Sequence, residues 1–185
     1  MKNGMLRLIG VVLIAIVLSG CSIISPVVTR QNYYDLAFNG GKKLNIPFNV
    51  VFSSFRNVSP AELNLLYFEQ DGKVVPDQYN FWVQSPENML RRFMLNAIEG
   101  NYKADGRNMD IGVVIFEFKF DTAHKKSVLG VRGNVRIHDG AVKKWEKTYV
   151  LETPVDKKDR TAYVQAMNVC AEKFVNQLVN DINKL

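Results

Sequence analysis

Cys21, Cys170, His124 and His138 are the only cysteines and histidines in the chain, and they are its first candidates for chemistry. A thiolate is a nucleophile and a metal ligand, and a histidine is the usual acid–base group near neutral pH. The spacing favours neither use. The two cysteines lie at opposite ends of the sequence, and no CxxC, HxxxH or HExxH occurs, which removes the common zinc signatures. His124 falls in Asp121-Thr122-Ala123-His124-Lys125-Lys126, a loop between strands, and His138 precedes Asp139-Gly140 at a turn. Neither has a serine or cysteine at a useful spacing, so both read as solvated turn residues. Glu62, Glu69 and Asp71 are local acids that nothing in the pattern brings together. There is no GxxxxGK(S/T), GxGxxG or GxSxG, so nucleotide, dinucleotide and serine-hydrolase chemistry lack their usual support. No catalytic, cofactor-binding or metal-binding residue is expected.

Cys21 has a different chemistry available. Lys2 and Arg7 form a basic start, Leu8–Leu18 is an apolar run, and Ser19 and Gly20 precede the cysteine. That order describes a secretory signal peptide, and the run falls well short of the roughly 20 residues that span a bilayer core. Leu18-Ser19-Gly20-Cys21 resembles the bacterial lipobox, in which the cysteine is acylated and becomes the new N-terminus. Each buried CH₂ contributes about 0.8 kcal/mol, so several acyl chains such as palmitate on one cysteine hold a domain firmly. Ser22 resembles the outer-membrane sorting signal of Gram-negative lipoproteins. The expected organisation is a signal peptide over 1–20, a lipidated tether over 21–32 and a folded domain over 33–185. The expected location is the cell envelope, facing the periplasm, at the outer membrane.

With Cys21 acylated, Cys170 has no intramolecular partner. It lies on an apolar stripe with Met167, Ala171, Phe174, Leu178 and Ile182, and reads as a small buried hydrophobe. The net charge of +6 is spread without a block of like charges, which disfavours nucleic-acid binding. Lys42-Lys43, Lys143-Lys144 and Lys157-Lys158 serve solubility, or meet anionic headgroups or an acidic partner.

These residues must be positioned by one α+β domain. Alternation predicts strands over Tyr33–Phe38, Leu44–Phe55, Leu63–Glu69, Lys73–Val75 and Tyr79–Val83. Pro47 suggests an edge or a strand start, and Asp71-Gly72 is a hairpin signal. Ser85-Pro86-Glu87 starts a helix carrying Met89, Leu90, Phe93, Met94, Ala97 and Ile98, which Gly100 ends. In Asp110–Phe120, Val114, Phe116, Phe118 and Phe120 share one face while Ile111, Val113 and Ile115 occupy the other. That pattern predicts a central strand covered on both faces over part of its length. Ser127–His138 and Val142–Leu151 alternate around Asp139-Gly140 as a second hairpin. The end, about Asp159–Lys184, is a long amphipathic helix. The sum is a mostly antiparallel or mixed sheet of about five or six strands with two main helices packed on it.

Several stretches together resemble one family. Cys21 is followed by Tyr33-Tyr34-Asp35-Leu36, similar to the YYxL that opens the mature domain of ABC-type transport auxiliary lipoproteins of the PqiC type. Tyr79-Asn80-Phe81-Trp82-Val83-Gln84-Ser85-Pro86 resembles the segment entering that family's first main helix, and Asp159–Leu185 its C-terminal helix. The resemblance implies a non-enzymatic lipoprotein of an MCE-type (mammalian cell entry) ABC lipid transport system. Its partners would be an MCE-domain protein and an ABC permease, and it would dock their assembly between inner and outer membranes. A homo-oligomeric ring is compatible with that role. The alternative is an interaction lipoprotein of another envelope machine, for lipopolysaccharide export or peptidoglycan synthase activation. Fold alone does not separate these roles.

Replacing the lipid-bearing thiol tests the first step directly. Cys21→Ser should abolish incorporation of labelled palmitate into the chain in a bacterial host. Undiminished incorporation would contradict the lipobox assignment.

Overall fold

In the computed structural model, residues 30–39, 43–100, 106–139, 141–157 and 159–185 are described, and Gln31–Leu185 forms one compact unit. Leu18, Ser19, Gly20 and Cys21, with the rest of the signal peptide, the tether up to residue 29, Lys42 and Lys158, lie outside the described residues. No helix among the described residues is long and apolar enough to cross a membrane.

The frame is a meander of three 14-residue strands, β7 (Asn108–Asp121), β8 (Lys126–Asp139) and β9 (Ala141–Pro154). Both pairings are antiparallel and run nearly the whole strand length. At the β7–β8 turn Asp121 accepts from the His124 N–H at 3.0 Å, and Lys125 takes the left-handed φ of 50°. Leu129, Val131, Val135 and Ile137 are buried on one face, beside Tyr149 and Leu151 of β9, as the alternation predicts.

β1 (Asn32–Tyr34), β3 (Asn49–Asn57), β4 (Asn64–Phe68) and β5 (Val74–Trp82) complete the sheet. The order is β1-β5-β4-β7-β8-β9, with β3 also paired to β7. β3 lies along the first part of β7 and β4 along its last residues, both parallel to it. β4 and β5 form the antiparallel hairpin that Asp71-Gly72 signals. The sheet is mixed, and among the described residues the fold is α+β in a single unit with two helices, as expected.

α1 (Pro86–Ala97) starts after Ser85 with Pro at its first turn, and it buries Met89, Leu90, Phe93, Met94 and Ala97. α2 (Arg160–Ile182) starts at Asp159, whose side chain accepts from the Ala162 N–H. Its buried side includes Tyr163, Met167, Cys170, Ala171, Phe174, Leu178 and Ile182, the stripe read from sequence. α2 packs on β8 and β9, and α1 on β3 and β7. Among the described residues both helices lie on the same face of the large sheet.

Five expectations need correction. Leu44–Phe55 is not one strand. Pro47 separates β2 (Leu44–Ile46) from β3, and β2 joins a separate two-stranded parallel sheet with β6 (Ile98–Gly100). Gly100 therefore ends a strand. The helix stops at Ala97, and Ile98 already has extended backbone. Lys73–Val75 and Tyr79–Val83 merge into the single strand β5, in which Pro76 is tolerated beside the β4 irregularity between Asn64 and Leu66. Tyr33–Phe38 is a strand only to Tyr34.

The fifth correction concerns β7. It is not covered on both faces. Met109, Ile111, Val113 and Ile115 are buried, then Phe118 and Phe120. The register with β8 shifts between Ile115 and Glu117, so Phe116 is an extra residue. This bulge switches the buried positions from odd to even while one face stays toward the helices. The displaced Phe116 ring lies over Gly130, where an added Cβ would stand 2.6 Å from the ring and 2.9 Å from Glu117 Cβ. Only glycine fits under the bulge.

Gly130→Ala should therefore destabilise the protein by about 1–3 kcal/mol, the usual cost of overpacking. Phe116→Ala in the same chain should recover part of that loss in urea unfolding. Equal stability of Gly130→Ala and the parent would contradict the packing of the bulge.

Candidate functional site

The histidines do not converge with each other. His124 lies at the turn before β8 and His138 near its far end, on the order of 40 Å apart at the usual rise per strand residue. His124 Nδ1 meets Asp121 at 2.9 Å, and His138 Nε2 meets Asp110 at 3.0 Å. Burial alone would raise Asp121, but its hydrogen bonds from His124 hold it below the usual carboxylate range. Neither pair has a nucleophile beside it, and both histidine side chains are well exposed.

Cys170 is buried as read from sequence. Its Sγ lies 3.2 Å from Thr153 Oγ1 and 3.5 Å from the carbonyls of Ser127 and Leu151. Burial pushes the thiol up, away from the reactive thiolate. Among the described residues no group of three His, Cys, Asp or Glu side chains could hold a metal ion. Glu62, Glu69 and Asp71 are exposed on the β3–β5 connections.

The structure instead concentrates its polar organisation on the first residues of the domain. Asp77 is 6 % exposed. Its Oδ1 accepts from the Tyr79 N–H at 3.0 Å, the Asn80 N–H at 3.1 Å and Asn80 Nδ2 at 2.8 Å. Its Oδ2 accepts from Arg160 Nε at 2.8 Å, at the start of α2. Asn80 Oδ1 accepts in turn from Asn32 Nδ2 at 3.1 Å. One chain of hydrogen bonds thus joins β1, β5 and α2.

The next residues are fastened separately. Asp35 forms an ion pair with Arg92 of α1. Leu36 is buried in the core. The Ala37 N–H donates to Asn168 Oδ1 of α2 at 2.8 Å. Tyr33-Tyr34-Asp35-Leu36 is therefore the place where the incoming chain is clasped by both helices and by β5. Of the side chains that clasp it, Asp77, Arg160 and Asn168 were not singled out from sequence, and Asn80 stood only within the Tyr79–Pro86 segment. Arg92, expected to be solvated with Arg91 because both fall off the apolar stripe, is instead half-buried in its ion pair with Asp35. All five are polar residues spread over three elements, and only the fold brings them together. Asp77 in particular follows Pro76, where the sequence suggests a break between strands.

A second polar region lies on the sheet face away from the helices. Arg56, Arg136 and Lys144 line a cleft of about 560 Å³ there. Of the paired lysines read from sequence, Lys144 reaches this cleft, while Lys43 and Lys157 are exposed elsewhere.

A small mixed-sheet α+β unit whose N-terminal segment is clasped by side chains of β5 and both helices is the class the described residues define. No family model and no curated protein matches the sequence. Solved structures do share its fold. One, an uncharacterised protein, is 16% identical with a TM-score of 0.61, covering 84% of this chain and 97% of that one. Another is protein XCC0632 from Xanthomonas campestris, of the DUF330 family model. It is 12% identical with a TM-score of 0.61, covering 80% of this chain and 92% of that one. At these identities the likeness is one of fold.

Asp77 predicts an acid limb of stability. Burial alone would raise its pKa, but Arg160, the Tyr79 N–H and Asn80 hold it at about 2. The unfolded value is near 4, so the contribution is complete above that pH and disappears as pH falls from about 4 to about 2. The linkage is worth about 2 kcal/mol. Asp77→Asn should lower stability at pH 7 by about 2–3 kcal/mol and flatten this limb in urea titrations. An unchanged limb would remove Asp77 as its source.

Proposed function

We propose that this chain is a non-enzymatic auxiliary lipoprotein, anchored through Cys21 and facing the periplasm at the outer membrane. Its role is to dock an MCE-type ABC lipid transport assembly between the two membranes, with an MCE-domain protein and an ABC permease as partners. The observation that carries the reading is the order of motifs. A lipobox cysteine ends the apolar leader, and Tyr33-Tyr34-Asp35-Leu36 follows it after a short tether. The clasp on Asp35, Leu36 and Ala37 supports the reading physically. A chain held by acyl groups transmits any pull to its first folded residues, and here those residues are fixed to α1, α2 and β5.

Crosslinking in cells, followed by capture of the tagged protein and mass spectrometry, tests the partners. Recovery of an MCE protein with its permease is the expected result. Recovery of a peptidoglycan synthase or a lipopolysaccharide-export component in their place would transfer the chain to another envelope machine and overturn the transport reading.

A further inference from the structure

We infer that the helix-free face of the sheet carries a binding site for a phosphate ester, with Arg56, Arg136 and Lys144 as its cationic ligands. The site is independent of the transport reading and adds a ligand class to it.

The charge pattern of this face is uneven along the strands. Toward the β7–β8 turn two lysines have their acids. Lys119 meets Glu117 at 2.7 Å, and Lys126 meets Glu152 at 2.6 Å. Toward the other end the acids are already taken. Glu146 faces Arg132 at 3.7 Å, and the Asp110 carboxylate lies 3.0 Å from His138 Nε2. Arg56, Arg136 and Lys144 are left with no hydrogen-bond or ion-pair partner among the described residues. All three line the same cleft of about 560 Å³, whose lining also includes Asp110 and Glu146, so the cations exceed the acids there by one.

The register sharpens this. Arg136 stands on one side opposite Asp110 on β7, which His138 also engages, and on the other directly opposite Lys144 on β9. Like charges in that position repel and destabilise the pair of strands. An anion between them converts the repulsion into two charge-assisted hydrogen bonds. Arg56 reaches the cleft from β3, where the register with β7 shifts between Phe52 and Ser54. Ser54 and Asn134 add a hydroxyl and an amide donor to the lining, while the Ser53 hydroxyl donates to the Ile111 carbonyl.

The floor of the cleft is also fitted. An added Cβ at Gly112 would stand 2.3 Å from Asn134 Oδ1. Glycine there makes room for the Asn134 amide against β7. Three cations with hydroxyl and amide donors suit a group that offers several oxygens and one or two negative charges. A phosphate ester does so, and an arginine fork matches its geometry. The volume is that of a headgroup-sized ligand. The ester is carried either by a small soluble metabolite or by a phospholipid headgroup.

Calorimetric titration of the purified full chain distinguishes these sources. The probes are inorganic phosphate, glycerol 3-phosphate and a short-chain phosphatidylglycerol, at constant ionic strength set by chloride. Saturable binding of the lipid alone supports a headgroup source, and binding of glycerol 3-phosphate alone or as tightly supports a soluble one. In either case Arg56→Gln with Arg136→Gln should weaken binding at least tenfold, and Lys144→Gln severalfold. Lys126→Gln removes the same charge at the far end of the face and should leave binding unchanged. Thermal midpoints within a few degrees of the parent show that the exposed substitutions leave the fold intact. Absence of saturable binding by all three probes, or an equal loss in Lys126→Gln, would overturn the inference.

Discussion

The contact of α2 with β8 and β9 is the interaction on which the rest of the molecule depends. A sheet of long strands must bury one face, and a single long helix supplies most of the cover. Phe174 packs on Tyr149 with ring centroids 5.3 Å apart, and Tyr163 meets Phe120 at 5.4 Å. The Ser127 hydroxyl donates to the Tyr163 carbonyl at 2.7 Å, so the helix is pinned as well as packed. At the other end, Asp181 of α2 accepts from Lys147 at 2.7 Å and from the Tyr149 hydroxyl at 2.9 Å. The Lys147 ion pair lowers the Asp181 carboxyl, while burial raises the Tyr149 phenol.

Once α2 is fixed, its residues become anchoring points for the start of the domain. Arg160 reaches Asp77, and Asn168 reaches the Ala37 N–H. Neither bond forms unless the helix has docked with the correct rotation. The clasp on residues 32–37 therefore depends on the most distant part of the chain. The buried Asp77 carboxylate costs desolvation that its four hydrogen bonds offset, which confines it to one arrangement.

Much of this was legible in the sequence. The α2 stripe, the Ser85-Pro86 helix start and the Asp71-Gly72 hairpin are local signals, set by periodicity and turn chemistry. What was not legible depends on partners far along the chain. The break at Pro47 sends two halves of an apparent strand to different sheets. The Phe116 bulge makes a singly covered strand look doubly covered, because one inserted residue exchanges the faces. Tyr33–Phe38 looks like a strand because alternation is satisfied equally by an extended segment held by side chains. Of the candidate chemistry, the isolation of both histidines and the burial of Cys170 were readable, whereas the Asp77 cluster and the Arg56–Arg136–Lys144 cleft exist only in the folded register. The lipobox residues stand outside the described structure and rest on sequence alone.

Covering one face of the sheet leaves the other open, and the docking role proposed above assigns its contacts to that open face. Hydroxyl-radical footprinting of the protein in native membranes, against the purified chain, tests that claim most directly. Val51, Val142 and Val150 are exposed on the helix-free face, while Leu95 and Val169 are exposed on α1 and α2. The account predicts protection in membranes at the first three positions, with the two helical positions unchanged. Protection of Leu95 and Val169 with Val51, Val142 and Val150 still reactive would contradict it.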